Sequence, residues 1–303
     1  MSLYETFDSE VKLRFPDMRV LRGEPMSRHT SFRIGGAAKR MAFPKNECAL
    51  AGLLDLCRGV GVDTFILGNG TNLLVADEGI DRVVIATSEM DGTEMPDVNT
   101  MRASAGVSLA ALASEAQRNG LTGLEFAHGI PGSVGGAIVM NVGAYGGEMK
   151  QVVRRVTAWF PEGTRVLEAG DLDFSYRRSF FTCHPEAVVL SAEFSLSKGD
   201  RAEIRGKMDD LMSRRRASQP LEYPSAGSTF KRPEGYFAGT LIEQSGLKGA
   251  SVGGAQVSIK HAGFIINTGG ATCGDVLALI KLVQDKVYED RGVRIEPEVR
   301  IIK

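Results

Sequence analysis

The sequence is poor in cysteine. Cys48, Cys57, Cys183 and Cys273 are the only four in 303 residues, and no Cys-x-x-Cys pair occurs among them. That argues against a zinc site and against a disulfide framework, and it fits a reducing cytoplasm. No apolar run comes near the roughly 20 residues that a membrane helix needs. Residues 1–16 carry scattered charges instead of the apolar core of a secretory leader. The formal net charge is -1, so no broad basic surface is set up for nucleic acid. His29, His128, His184 and His261 are too dispersed for a ligand set, and no metal is expected. Internal repeats and low-complexity tracts are missing as well. What remains is an ordinary globular composition, 43% hydrophobic and 24% charged, long enough for two or three domains.

Glycine, by contrast, is concentrated. Between His128 and Glu148 lie Gly129, Gly132, Gly135, Gly136, Gly143, Gly146 and Gly147, interleaved with apolar residues. Glycine costs backbone entropy on folding, so a dense run needs a reason. One reason is a ligand lying against the main chain. Pro131-Gly132-Ser133 before Val134, Ala137, Ile138 and Val139 reads as a helix start whose free N–H groups meet an anion. A packed turn between two elements is the competing reading. The stretch matches neither Gly-x-x-x-x-Gly-Lys-Ser/Thr nor Gly-x-Gly-x-x-Gly. A second glycine loop, Gly68-Asn-Gly-Thr-Asn72, follows the short apolar strand 64–67. Neither loop contains lysine or arginine, which suits the two-charge diphosphate of a dinucleotide better than a triphosphate. Thr71, Asn72 and Ser133 offer side-chain hydrogen bonds to it.

Hydrophobic spacing organises the rest. Residues 1–26 read as a short helix and a strand. Residues 38–43 form a strand, and Asn46 caps a helix carrying Leu50, Leu53, Leu54 and Cys57 that ends at Gly59 and Gly61. Cys57 belongs to its core side. Strands follow at 64–67, 73–75 and 82–86, then a polar loop at 91–99. A strand at 100–105, a helix from Leu109 to Asn119-Gly120, a hairpin around Pro161–Gly163 and a strand at 187–196 come next. Residues 200–219 read as a charged helix. After a loop at 220–227, a second α/β unit has a helix near 239–244 and strands at 255–259 and 262–267. Its long helix opens with a Thr272/Asp275 capping box and ends at Gly292. The chain closes on a strand, 294–302, carrying Glu296 and Glu298. The polar loop at 91–99 and a change of composition after Lys198 divide the chain into 1–90, 91–198 and 199–303.

Three further segments attract attention. Residues 174–181 crowd Arg177 and Arg178 among four aromatic rings, although surface pairing would explain two arginines equally well. Residues 226–233 set Ser228 beside a glycine and three residues before Lys231, where a plain turn serine is the alternative. Either glutamate of Glu296-Pro-Glu298 is a candidate acid or a solvated strand residue.

In order along the chain stand Thr30-Ser-Phe-Arg-Ile-Gly-Gly36, Leu67-Gly-Asn-Gly-Thr-Asn-Leu-Leu74 and Gly129-Ile-Pro-Gly-Ser-Val-Gly-Gly136 with Asn141-Val-Gly-Ala-Tyr-Gly146. Tyr176-Arg-Arg-Ser179, Ala226-Gly-Ser-Thr-Phe-Lys231 and Glu296-Pro-Glu-Val-Arg300 complete the set. The ordered set resembles the UDP-N-acetylenolpyruvoylglucosamine reductase family of flavoenzymes. The resemblance implies an α+β or α/β chain: a two-subdomain FAD-binding module of the vanillyl-alcohol-oxidase type, then a C-terminal α/β substrate-binding domain whose last strand, 294–303, returns to the active site. It implies non-covalent FAD held by Gly68, Asn69, Gly70, Thr71, Asn72, Leu73, Gly129, Ile130, Pro131, Gly132, Ser133, Gly135, Gly136, Asn141, Gly143 and Ala144. It implies NADPH as reductant and catalytic Arg177, Ser228 and Glu298, with Tyr176, Lys231, Gln256 and His261 on the substrate. Thr71 stands where relatives commonly have serine, and Arg232 where some have asparagine. The short run from Ser179 to Gly227 matches the subclass without an extra tyrosine-bearing loop. A cytoplasmic monomer is expected, with no nucleic acid and no membrane insertion.

The implied reaction reduces an enol ether conjugated to a carboxylate. Hydride passes from NADPH to the flavin N5 and on to C3 of the substrate, and negative charge builds at C2 and its carboxylate. Arg177 can stabilise that charge bidentately. A bare Glu298 carboxylate there would be harmful, so it needs protonating or balancing by Arg300 or Lys231. Ser228 would deliver the proton to C2, with Lys231 steadying the alkoxide. Another FAD-dependent oxidase or dehydrogenase of the same fold, and a non-catalytic nucleotide-binding module, are the alternatives.

Overall fold

A computed structural model describes residues 2–303. Packing groups the chain into two units that interleave along the sequence. The first holds the segments up to Leu21, Arg40–Asn69 and Arg82–Arg214; the second holds Arg22–Lys39, Gly70–Asp81 and Arg215–Lys303. Two short segments from early in the chain therefore pack with its C-terminal part, a grouping that composition along the chain has no way to display.

The first unit contains two hydrophobic clusters. In one, the Leu3–Arg14 helix opens on a capping box: Glu5 N–H donates to Ser2 Oγ (3.3 Å) and Ser2 N–H to Glu5 Oε2 (2.7 Å). The Glu47–Val60 helix starts where Ala49 N–H donates to Asn46 Oδ1 at 2.9 Å and stops at Gly61, whose φ is 81°. Phe7, Val11, Leu50, Leu53, Leu54 and Cys57 pack with Val83, Ile85 and Trp159. Each such large apolar side chain contributes about 1.5–3 kcal/mol by leaving water. Burial pushes the Cys57 thiol up to about 12, so this cysteine is inert core. The Thr64–Leu67 strand runs parallel to Ile80–Ala86, from Thr64 opposite Val83 to Leu67 opposite Ala86, and feeds the first glycine loop.

The other cluster joins the Leu109–Arg118 helix, the short Val134–Val139 helix and an antiparallel sheet. The strand order is Gly163–Glu168, Val153–Phe160, Val188–Ser195, Thr100–Ser104 and Thr93–Asp97. The last strand falls where a loop was expected at 91–99. All five of its residues are exposed, so no apolar alternation marks it, and Pro96 is tolerated because the strand lies at the sheet edge.

The second unit has its own antiparallel sheet, ordered Ser225–Ser228, Phe264–Asn267, Ala255–Val257 and Ser251–Val252. The Cys273–Arg291 helix buries Val276, Leu279, Ile280, Val283 and Val287 in that unit's core. Thr272 and Asp275 form its capping box, and Asp77 accepts from Cys273 N–H (2.8 Å) and Gly274 N–H (3.2 Å). The closing strand is shorter than expected. The strand itself is Arg300–Ile302, parallel to Leu73–Val75; ahead of it lie Glu296 and Glu298, flanking an isolated antiparallel bridge between Pro297 and Phe230. Pro297 between them has no N–H to give to a ladder. No helix among the described residues is long and apolar enough to cross a membrane.

Candidate active site

The two glycine loops meet within the first unit. A β-carbon on Gly68 would lie 2.3 Å from Ser133 Oγ, so only glycine lets the loops approach this closely. Ser133 is 2% exposed and caps the Val134–Val139 helix by accepting from Gly136 N–H at 3.4 Å. The donors expected to be free at this helix start are already committed. Val134 N–H bonds Val107 C=O and Gly135 N–H bonds Ala105 C=O, each at 2.8 Å. The six-residue helix is stitched to residues 105–108, and the Ser133 hydroxyl, which accepts from Gly136 N–H, keeps its own O–H as a donor.

The first loop is different. Among the described residues, no acceptor takes the N–H groups of Gly68, Asn69, Gly70, Thr71 and Asn72. Gly70, at φ 61°, is fixed from its other side: its carbonyl accepts from Ser31 N–H at 3.1 Å, and a β-carbon there would strike His29 O at 2.0 Å. A run of uncommitted amides on a held backbone is what a diphosphate requires.

The glycines of the second stretch divide by cause. At Gly135 a β-carbon would meet Ala105 at 3.1 Å, and at Gly143 it would meet Gly147 O at 2.7 Å. Packing within the protein excludes a side chain at Gly143 and crowds one at Gly135. At Gly132 the nearest atom is Leu109 Cδ1 at 3.4 Å, an ordinary contact, so the protein itself does not demand glycine there. Gly129, Ile130 and Pro131 lead into Ser133, while Gly143–Ala144 pairs with Gly147–Glu148. The Asn141 side chain, expected on the cofactor, is instead spent inside the fold. It donates to Glu148 Oε2 (3.0 Å) and Ser175 O (3.1 Å) and accepts from Lys150 N–H (2.9 Å).

Ser175 and Arg178 exchange both backbone hydrogen bonds, at 3.0 and 3.1 Å, and enclose Tyr176 and Arg177 as a two-residue turn. Arg177 has φ 55°, a left-handed conformation that non-glycine residues seldom adopt. Its guanidinium sits 5.4 Å from the Tyr176 ring centroid. Arg178 pairs with Asp173 at 3.3 Å on the surface, so the surface-pair reading holds for this arginine. Ser179 is fully buried; its hydroxyl donates to Val139 O at 2.8 Å and its N–H to Thr182 Oγ1 at 2.8 Å. Its place in the Tyr-Arg-x-Ser motif was the available signal, but no role could be read from it.

In the second unit, Ser228 ends a strand and its hydroxyl donates to Phe230 O at 3.3 Å. The next residue, Thr229, accepts Glu298 N–H on its carbonyl at 2.7 Å, and its buried hydroxyl accepts from Ile265 N–H at 3.0 Å. Asn72 Nδ2 donates to Glu298 O at 3.3 Å, and Asn72 O accepts from Arg300 N–H at 3.0 Å. Glu298 is thus held on both sides of its main chain, by the glycine loop and by the neighbour of Ser228. Lys231 does not stand free for Ser228; its Nζ bonds Glu296 Oε2 at 2.9 Å in an exposed pair. Such pairs are worth at most about 1 kcal/mol.

Gln256 lies in a strand opposite Ile266. His261 Nδ1 accepts from Gly263 N–H at 3.1 Å, which places the proton of the neutral ring on Nε2. Burial holds its pKa below the usual histidine range. Gly263 in turn backs Ser228: a β-carbon there would sit 3.5 Å from Ser228 Oγ. His261 therefore supports the serine strand, a relationship that nothing in the sequence advertised.

The class of protein is that of the FAD-binding oxidoreductases. Residues 38–167 match the model of an FAD binding domain, and residues 219–302 match that of the UDP-N-acetylenolpyruvoylglucosamine reductase C-terminal domain. The fold is shared with alkyldihydroxyacetonephosphate synthase at TM-score 0.50 and 19% identity, over 64% of this chain and 44% of that one. Far closer is the crystal structure of UDP-N-acetylenolpyruvylglucosamine reductase from Thermus caldophilus. It has TM-score 0.81 and 34% identity, over 94% of this chain and 100% of that one. The Clostridium novyi (strain NT) UDP-N-acetylenolpyruvoylglucosamine reductase is 49% identical over 278 residues, covering 91% of this chain and 90% of its own. The chain belongs to the UDP-N-acetylenolpyruvoylglucosamine reductase family.

Proposed function

We propose that the protein reduces UDP-N-acetylglucosamine enolpyruvate to UDP-N-acetylmuramate with NADPH, in cytoplasmic peptidoglycan precursor synthesis. The observation that carries this reading is the double tether of Glu298. One tether leads to Asn72 of the loop with uncommitted amides, the other to Thr229 beside Ser228. A cofactor loop, a hydroxyl and a carboxylate are thereby tied to one stretch of backbone.

FAD fits the residues present. The amides of Gly68–Asn72 suit its diphosphate, and the space at Gly132 allows close approach to the main chain. Bound there, FAD would supply two-electron hydride chemistry between NADPH and the enol ether. The chain's own residues do the rest. Arg177 binds the substrate carboxylate and stabilises charge that builds on it. Ser228 gives its hydroxyl proton to C2. Glu298 supports the carboxylate end of the substrate, and Lys231 exchanges Glu296 for the sugar-nucleotide diphosphate. Tyr176 packs on the substrate beside Arg177.

The test starts from the visible spectrum of purified protein, followed by anaerobic reduction with NADPH and reoxidation with a panel of enolpyruvyl compounds. Selective reoxidation by the UDP-sugar is expected. A protein that neither retains nor takes up flavin, or that shows no preference for the nucleotide sugar, would overturn the proposal.

A further inference from the structure

Arg177 is held in an unfavourable backbone conformation, so something must keep it there. The turn's own pair of hydrogen bonds, Ser175 with Arg178, closes the turn but does not tie it to the rest of the unit. Two long-range bonds make that tie. Ser179 ties the exit strand to Val139 O, and Asn141 grips the entry strand at Ser175 O, 34 positions away. One anchor is the last residue of the Val134–Val139 helix and the other lies two residues beyond it, both in the glycine stretch.

We infer that Asn141 is a positioning residue for Arg177, linking the glycine stretch to the arginine turn. The inference rests on the reading of Arg177 as the residue that meets the substrate carboxylate. Asn141 is built for the task. It is 2% exposed and sits at φ 40°, a conformation asparagine tolerates better than other branched or bulky residues. Its amide cannot be turned round. The Nδ2 end faces two acceptors, the Glu148 carboxylate and the Ser175 carbonyl, while the Oδ1 end faces the Lys150 N–H. Reversal would set oxygen against carboxylate and N–H against N–H. Glu148 is itself fixed, because its N–H donates to Gln151 Oε1 at 3.2 Å. The chain of contacts runs from Gln151 and Glu148 through Asn141 to Ser175, two residues from Arg177. Every link lies in the first unit.

Two substitutions separate the side chain from the backbone strain. Asn141→Gly keeps the left-handed backbone easy but removes the grip. Asn141→Asp keeps the shape but sets a carboxylate against Glu148 and the Ser175 carbonyl. In flavin-loaded protein, both are expected to slow reoxidation by the UDP-sugar by about 10- to 100-fold, the usual cost of losing a support that holds a reacting group. Reduction by NADPH should stay within about twofold. In an Arg177→Ala background, Asn141→Gly should add less than about twofold, because there is no arginine left to misplace. A merely structural residue would slow both backgrounds alike. Hydrogen exchange gives a readout free of turnover: the Arg178 amide should lose protection in Asn141→Gly while amides of the Leu109–Arg118 helix keep theirs. Unchanged reoxidation together with unchanged Arg178 protection would overturn the inference, as would full additivity with Arg177→Ala. If one variant fails to fold, the other decides. If Arg177→Ala itself reoxidises at the native rate, the reading of Arg177 falls first, and that outcome is distinguishable from a failure at Asn141.

Discussion

Gly68 and Ser133 are in contact across 65 positions of sequence, with room for a hydrogen but not for a methyl group between them. Gly68→Ala is therefore expected to push the Ser133 hydroxyl off the Gly136 N–H. Loss of a serine cap costs about 1 kcal/mol. The apoprotein should melt lower and the flavin should dissociate more readily. Matched melting temperature and flavin affinity in the variant would contradict the contact.

The glycines of the second stretch should separate into two phenotypes. Gly135→Val collides with Ala105 and is expected to destabilise the apoprotein by about 1–3 kcal/mol, as overpacking does. Gly132→Ala has space, so apoprotein stability should change by no more than about 0.5 kcal/mol. Flavin retention should nevertheless fall, because the methyl group occupies the ligand's side of the main chain. Urea denaturation without flavin, compared with flavin titration, distinguishes the two.

Ser228→Ala should leave flavin reduction by NADPH intact and slow reoxidation by the UDP-sugar by about 100- to 10,000-fold, the worth of a placed proton donor. Stopped-flow traces of the two half-reactions check this, and equal slowing of both would remove Ser228 from the proton transfer.

Glu296 and Glu298 should part company. Glu296→Gln loses only an exposed pair with Lys231 and should shift stability by less than about 1 kcal/mol. Glu298→Gln should reduce turnover far more while leaving the Thr229 and Asn72 tethers, which engage only the main-chain atoms of residue 298. Comparable turnover in the two variants would mean that the wrong glutamate has been chosen.

His261 makes stability depend on pH in a definite direction. Burial lowers its folded pKa below the unfolded value of about 6.5, and protonation of Nδ1 would also break the Gly263 bond. The unfolded chain therefore binds more protons in the window between the two values. Stability is full above that window and declines as pH falls through it. His261→Gln should flatten the decline. Urea midpoints measured from neutral pH downward test the sign; an increase in stability on acidification that vanishes in the variant would reverse it.

Helix boundaries were legible because their signals are local. Asn46, the Thr272/Asp275 box and Gly292 act within a turn of the residues they cap. The Thr93–Asp97 strand was hidden because an exposed edge needs no apolar alternation. The closing strand was overdrawn because Val299, Ile301 and Ile302 supply hydrophobicity while Pro297 withholds a hydrogen bond. At the site, the residue types were readable but their partners were not. Which amides stay uncommitted depends on Val107 and Ala105 meeting Val134 and Gly135. The role of Asn141 depends on Ser175 reaching it from 34 positions away.

The Asn72 and Glu298 tether spans 226 positions, and beside it the buried Leu73–Val75 strand takes Arg300–Ile302 as its neighbour. Synthesis proceeds from one end of a chain, so this apolar edge must wait while more than two hundred residues are added. A polypeptide halted before residue 300 keeps the edge open, which invites aggregation or capture by a chaperone. The same truncation removes the partner of the glycine loop. A chain cut short before residue 300 therefore lacks the strand that covers this apolar edge.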